Sequence, residues 1–238
     1  YIFVSHKIYT DHFYYLNRLG RGGFGEVHRV THKSNNKVYA IKMVNYPDTD
    51  SDDNKQRVLR EVKSLSDLRS EYVVQYYHSW IENKFLYIQM EYCPQSLRQV
   101  LADKRLAFGR QSAAEPMNAI EYYISCEIFK ELLECVDYLH QRSPQIIHRD
   151  LKPENILIAS PLSGSNNSRR FIKLGDFGLA TVHDPYVNLQ TDHKHTPCVG
   201  TPWYRAPEVA TNKYNNKADV YSLSRIGAEI FDLDLFVR

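Results

Sequence analysis

Six residues near the start of the chain, Gly20-Arg21-Gly22-Gly23-Phe24-Gly25, follow the pattern Gly-x-Gly-x-x-Gly. Glycine lets a backbone approach a phosphate closely, and the amide N–H groups of such a turn then donate to its oxygens. The pattern alone is weak, because a dinucleotide-binding turn carries it too. The residues after the turn separate the two readings. A dinucleotide-binding turn runs straight into a helix, whereas Glu26-Val27-His28-Arg29-Val30 alternates as a strand does. The next strand carries Tyr39-Ala40-Ile41-Lys42. A lysine on an alternating strand is usually an outward-facing charge. After a phosphate-binding turn it can grip phosphates, provided that a carboxylate holds its flexible stem. Glu61 lies among the apolar positions of the following helix, which suits an inward-facing partner, whereas Glu71 and the acidic run 48–53 read as solvated.

The most specific stretch is His148-Arg149-Asp150-Leu151-Lys152-Pro153-Glu154-Asn155. All eight residues match the catalytic loop of protein kinases, and the requirements of phosphoryl transfer give them roles. Asp150 would accept the hydroxyl proton, Lys152 would neutralise charge on the moving γ-phosphate, and Asn155 would ligate Mg²⁺. Asp176-Phe177-Gly178 comes next, and Asp176 would hold the Mg²⁺ that bridges the phosphates. A lone Asp-Phe-Gly is an ordinary turn; its place in this order makes it a metal site. Ala206-Pro207-Glu208 closes the segment after it, and Asp219 opens a helix that would brace the catalytic loop from below.

These residues need elements to hold them. Phe13 to Leu19, Val27 to Val30 and Lys37 to Val44 read as strands. The next element is a helix, with Val58, Val62, Leu65 and Leu68 at helical spacing, and the polar residues 47–56 form its lead-in. Val73 to Trp80 and Phe85 to Tyr92 read as strands joined by the turn Ile81-Glu82-Asn83-Lys84. The composition then turns helical, with helices over Ser96 to Ala107 and Ile120 to Gln141. In the second, Cys126, Phe129, Leu132, Leu133, Val136 and Leu139 form the expected buried stripe. Residues 160–170 form a Ser-, Asn- and Gly-containing loop between two short apolar strands.

The chain therefore resembles a eukaryotic protein kinase catalytic domain over nearly its whole length. The resemblance implies an α+β, bilobal fold. Residues 1–93 would form a small β-rich lobe with the glycine-rich turn, the lysine strand and the regulatory helix. Residues 94–238 would form a larger helical lobe that is incomplete, stopping after its central helix. It also implies ATP and Mg²⁺ as cofactors and a protein substrate with a serine or threonine acceptor. Lys152, two residues after Asp150, and Gly200-Thr201-Pro202-Trp203-Tyr204-Arg205 point to Ser/Thr rather than Tyr specificity.

Within the kinases, Ile88-Gln89-Met90-Glu91-Tyr92-Cys93 is similar to the kinases that phosphorylate translation initiation factor 2 on its alpha subunit. Tyr76-Tyr77, Trp80 and the threonine pair Thr196 and Thr201 are similar to them as well. The resemblance implies Met90 as gatekeeper, backbone hydrogen bonds from Glu91 and Cys93 to adenine, and Val27, Ala40 and Leu157 around the purine. Leu65, Tyr76, His148 and Phe177 would form an apolar stack that registers the active state. Thr196, in the basic setting His193-Lys194-His195, would be the main activating phosphorylation site, its phosphate pairing with Arg149, with Thr201 second. A homodimer formed through the small lobe is a partner that the resemblance allows. The short turn between the fourth and fifth strands, where many members of that group have a long insert, and Trp203-Tyr204-Arg205 depart from the group. So does Ser224, which stands in place of a glycine and would tighten the start of its helix.

Bulk properties agree with an ordinary globular chain. It has 238 residues, 43% hydrophobic and 24% charged, with 30 Lys and Arg against 28 Asp and Glu, a net charge of +2. That balance calls for neither nucleic acid nor anionic lipid. Cys93, Cys126, Cys135 and Cys198 form no metal-ligand spacing and read as thiols of a reducing compartment, which makes the expected location cytoplasmic. No apolar run is long enough to cross a bilayer. Opening on Tyr1, the sequence reads as a piece of a longer protein. The rival readings are a pseudokinase scaffold and an inactive fragment. Pseudokinases usually lose the lysine, the catalytic Asp or the metal-binding Asp, whereas Lys42, Asp150, Asn155 and Asp176 are all present.

Overall fold

The computed structural model describes residues 7–22, 25–46, 68, 70–159, 170–177, 181–183, 200–211 and 215–234. The helix expected through Val58, Val62 and Leu65, with Glu61, lies outside the described residues. Gly23, Thr196 and most of the loop 160–170 also lie outside them. The chain divides into two compact units, Tyr1–Ser70 with Val74–Cys93, and Glu71–Val73 with Pro94–Arg238.

Alternating Val, Ile and Tyr residues build the first unit's antiparallel sheet. Its strands are β1 (Phe13–Gly22), β2 (Gly25–His32), β3 (Val38–Asn45), β4 (Tyr76–Glu82) and β5 (Phe85–Glu91), in the spatial order β1-β2-β3-β5-β4. The β4–β5 hairpin turns on Asn83 and Lys84, with φ of 51° and 65°. Paired left-handed residues suit a two-residue hairpin because their twist matches that of the strands. β4 starts later than its sequence suggests. Val73 instead bridges to Leu174, so that residue serves the second unit.

Register sorts this sheet into two faces, since residues two apart on a strand point the same way. Val27 lies opposite Lys42, and Ala40 opposite Met90, so these four share a face. The other face buries Phe13, Val30, Tyr39, Ile41, Trp80 and Tyr87. The Trp80 ring stacks on Phe13 at 5.9 Å and on Tyr87 at 5.2 Å. The short helix α1 (Ile8–His12) lays Ile8 and Tyr9 against this cluster. Each fully buried side chain of this size stabilises by about 1.5–3 kcal/mol.

Among its described residues the second unit has three α-helices: α2 (Leu97–Ala107), α3 (Ala119–His140) and α4 (Lys217–Ile230). Short strands connect them. β6 (Gln95–Ser96), β8 (Ile156–Ile158) and β9 (Ile172–Leu174) form one small sheet, and β7 (Gln145–Ile147) pairs with β10 (Thr181–His183). α2 begins with a capping box, in which the Ser96 amide donates to Gln99 Oε1 at 2.8 Å. At α3, Asn118 Oδ1 accepts the Glu121 amide at 2.9 Å. No helix among the described residues is long and apolar enough to cross a membrane.

The buried face of α3 differs from the expected stripe. Glu121, Ser125, Ile128, Leu132, Cys135, Val136 and Leu139 are buried, whereas Leu133 is 43% exposed. Alternating steps of four and three keep one face inward, and Leu133 is rotated a quarter turn off it. Apolar type alone hid this, because the stripe includes a carboxylate. Glu121 is buried by ion pairing: Arg110 Nη2 lies at 2.5 Å and Lys104 Nζ at 3.6 Å, while Asp232 pairs with the same two cations. Ser224 also differs from expectation. It lies in the middle of α4, exposed, with its hydroxyl donating to the Tyr221 carbonyl at 2.7 Å.

Candidate active site

The catalytic-loop sequence is held from the first turn of α4. Asp219, fully buried, accepts the His148 amide on Oδ2 and the Arg149 amide on Oδ1, each at 2.9 Å. His140, at the end of α3, sits 2.9 Å from the same Oδ2. Arg149 has φ of 68°, a conformation that costs a non-glycine residue about 1–2 kcal/mol, and the bond to its amide helps to hold it there. The His148 ring bonds the Gly175 carbonyl at 3.0 Å and lies 5.0 Å from the Phe177 ring. The loop is thereby tied to the Asp-Phe-Gly stretch. Of the expected four-residue stack, His148 and Phe177 meet, and Leu65 lies outside the described residues.

The Asp150 carboxylate is 7% exposed and is the hub of the site. Its Oδ1 accepts both the amide and the hydroxyl of Thr201, each at 2.9 Å. Its Oδ2 lies 2.9 Å from Lys152 Nζ and 3.1 Å from Asn155 Nδ2. Lys152 Nζ also donates to Thr201 Oγ1 at 2.9 Å. Asp150, Lys152, Asn155 and Thr201 are thus brought around one carboxylate. The approach of Thr201 depends on Gly200, whose φ is 88° and whose added Cβ would stand 2.5 Å from the Arg149 carbonyl oxygen.

Asn155 and Asp176 suit a hard divalent cation. Asn155 turns its amide nitrogen to Asp150, with 2.8 Å to the Asp150 carbonyl, which leaves its side-chain oxygen as the ligand end. The Gly175 amide donates to the Asn155 carbonyl at 2.9 Å, which brings Asp176 beside Asn155 along the backbone. One carboxylate and one amide oxygen, completed by phosphate oxygens and water, match the ligands that Mg²⁺ takes.

In the first unit, Lys42 is 6% exposed and shares its sheet face with Val27, Ala40 and Met90. Gly25, at φ of 130°, closes the β1–β2 turn; an added Cβ would stand 1.9 Å from the Met43 carbonyl oxygen. An added Cβ at Gly20 meets nothing within 4 Å. Glu91 and Gln75 pair, with the Glu91 amide donating to the Gln75 carbonyl at 2.8 Å. Cys93 is buried and ends this unit. Leu157 belongs to the second unit, in β8 opposite Ser96 and Lys173.

Sequence reasoning missed His140 and the steric role of Gly200. A histidine closing an apolar helix just before the loop, and a glycine directly before Thr201, were the available signals.

The protein kinase domain family matches residues 13–236. The chain is 30% identical over 239 residues to the interferon-induced, double-stranded RNA-activated protein kinase of Rattus norvegicus, covering 92% of this chain and 40% of that protein. It is 34% identical over 217 residues to the serine/threonine-protein kinase dst1 of Dictyostelium discoideum, covering 90% of this chain and 25% of that protein. It is 30% identical over 275 residues to the eIF-2-alpha kinase GCN2 of Arabidopsis thaliana, covering 94% of this chain and 20% of that protein. The chain thus spans two fifths or less of the length of these relatives. With the family match running through every motif described above, the chain belongs to the protein kinase domain family.

Proposed function

We propose that this domain transfers the γ-phosphate of ATP to serine or threonine hydroxyls of a protein. The observation that carries the reading is the Asp150 carboxylate, with Thr201 Oγ1 and Lys152 Nζ each 2.9 Å from one of its oxygens. A substrate hydroxyl beside that carboxylate is oriented and gives up its proton to Asp150 as its oxygen bonds to the γ-phosphorus. The bridging oxygen leaves with ADP. Lys152 offsets the charge that spreads over the moving phosphoryl oxygens. Lys42 grips the phosphates with Glu61 as its brace, and the backbone of Gly20, Gly22, Gly23 and Gly25 covers them. Met90, Glu91 and Cys93 take adenine, with Val27, Ala40 and Leu157 around the purine. Asn155 and Asp176 would hold Mg²⁺, which when bound would supply positive charge against the phosphates.

The finer reading takes the alpha subunit of translation initiation factor 2 as substrate, Thr196 as the main activating phosphorylation site with Thr201 second, and the small lobe as a homodimer surface. Supporting the substrate are the stretch Ile88 to Cys93 and the relative named an eIF-2-alpha kinase. The test supplies the purified chain with Mg-ATP and either that subunit or a generic Ser/Thr substrate, followed by phosphopeptide mapping. Phosphoserine or phosphothreonine on the alpha subunit, with Thr196 modified in the enzyme, is expected. Transfer to the generic substrate alone overturns the finer reading, and transfer to neither overturns both.

A further inference from the structure

Tyr9 belongs to α1, ahead of the sheet, yet its hydroxyl is tied to the glycine-rich turn. It lies 2.8 Å from His28 Nδ1, and His28 Nε2 lies 3.3 Å from Glu26 Oε2. Glu26 directly follows Gly25. Its other oxygen stands 3.6 Å from Arg18 Nη1 and 3.6 Å from Arg21 Nε, both on β1. A chain of contacts thus runs from α1 to both strands of the β1–β2 hairpin, whose last pair is Gly22 opposite Gly25.

The chemistry of the groups gives this chain a direction. An ionised carboxylate only accepts, so the proton of a neutral His28 ring sits on Nε2 and is donated to Glu26. Nδ1 is then the acceptor, and the Tyr9 hydroxyl donates to it. Burial, with Tyr87 and Tyr15 nearby, pushes the Tyr9 phenol up to about 12, so it keeps that proton. The His28 side chain is 14% exposed, and the Tyr15 ring packs edge-on to it at 5.1 Å. The imidazole is therefore held in one orientation and mostly screened from water.

Two features set the Tyr9 hydroxyl apart from a helix anchor. First, α1 is docked without it. The Tyr9 amide donates to Glu82 Oε2 at 3.0 Å, Ile8 and Tyr9 pack against the aromatic cluster, and the Tyr9 ring lies 5.2 Å from that of Tyr87. Second, the Glu26 ion pairs need a fixed carboxylate. Arg18 and Arg21 are largely exposed, and such pairs contribute little by themselves. The bond from His28 sets the Glu26 carboxylate between them. Val27, between Glu26 and His28, points to the opposite face, where Lys42 lies. The stretch that carries these contacts on one face thus carries nucleotide-facing residues on the other.

We propose that Tyr9 is a positioning residue for the phosphates of ATP: through His28 and Glu26 it sets the β1–β2 hairpin so that the backbone beside Gly25 meets them. The proposal rests on the kinase reading for the identity of the nucleotide. Tyr9 acts through its neighbours and not on a reacting atom. With its hydroxyl, the hairpin is set before ATP arrives. Without it, ATP must order the hairpin, and that cost falls on the phosphate-dependent part of its affinity. Adenosine, which has no phosphates, is bound equally well in both cases.

The test measures equilibrium binding of Mg-ATP and of adenosine to the full chain by calorimetry. Tyr9→Phe keeps the ring and removes the hydroxyl. His28→Phe keeps a ring and removes both nitrogens. Each should weaken ATP binding by about three- to ten-fold, the worth of one hydrogen bond, and leave adenosine within about two-fold. The double variant should bind ATP within about two-fold of His28→Phe alone, because the two residues act in series. In turnover, KM for ATP should rise while kcat stays within about two-fold. Equal weakening of ATP and adenosine, or unweakened ATP binding by folded variants, overturns the proposal and leaves the kinase reading standing. Loss of fold in both variants also overturns it, since the contacts are then part of the core. An unsubstituted chain that binds no ATP overturns the kinase reading and the proposal with it.

Discussion

Asp219 holds His148 and Arg149 by their backbone amides, one on each carboxylate oxygen at 2.9 Å. A single side chain from the start of α4 thus fixes the two residues that precede Asp150. Because both contacts are to backbone, the carboxylate sets the path of the loop rather than the placement of any one side chain.

Asp219→Asn tests this bracing. An asparagine keeps one acceptor oxygen but turns an NH₂ group toward the second amide, leaving a buried N–H without a partner. That costs about 1–3 kcal/mol. Thermal unfolding should move down by about 2–4 °C per kcal/mol, and turnover should fall more than ATP affinity does. A variant with unchanged Tm and unchanged kcat would show that α4 does not brace the loop.

Gly200 and Gly20 should respond differently to alanine. At Gly200 the added Cβ would stand 2.5 Å from the Arg149 carbonyl oxygen, in a left-handed conformation. The conformation alone costs about 1–2 kcal/mol, and relief of the contact must pull Thr201 away from Asp150. Gly200→Ala should therefore lose both stability and turnover. Gly20→Ala meets nothing within 4 Å and should leave folding stability within about 0.5 kcal/mol. Denaturant unfolding of the two variants side by side checks this, and equal losses would contradict it.

The thiols offer a pH-dependent check on the core of the second unit. Burial pushes the Cys135 thiol up to about 12. Its sulfur donates to the Ile172 carbonyl at 3.5 Å. A group whose folded pKa is raised contributes stability that is fully present below its unfolded value, and that stability is lost as pH rises through the folded value. The Cys135 contribution should thus be constant below about pH 8.5 and should fade toward pH 12. At pH 8 the native chain should take iodoacetamide at Cys126, which is only partly buried, and not at Cys135. Peptide mass spectrometry showing equal labelling of both would mean that α3 is packed otherwise.

Much of the site is legible in the residues because phosphoryl transfer demands specific types in a fixed order. Asp150, Lys152 and Asn155 come from one eight-residue stretch, and with Thr201 they meet around one carboxylate. The strands of the first unit follow from alternation, and their register then places Lys42 beside Val27 and Ala40. Sequence is less informative where burial depends on a distant partner. Glu121 looks like a surface charge until Arg110 and Lys104 are brought to it, so the stripe drawn through apolar residues alone took in Leu133 and left out Ile128 and Cys135. Arg98 is a second case, since the side chains it bonds, Glu154, Tyr204 and Glu229, lie 56, 106 and 131 residues away.

The central claim is that Asp150 acts on the acceptor hydroxyl and not on the nucleotide. Asp150→Asn keeps the size of the side chain and removes its capacity to take a proton. Single-turnover transfer from Mg-ATP to a serine peptide, measured alongside ATP affinity on the same protein, separates the two roles. The account predicts that transfer slows by about 10²–10⁴-fold, with ATP affinity within about two-fold of the unsubstituted chain. Transfer at an unchanged rate, or a slowing that saturating ATP restores, would contradict it.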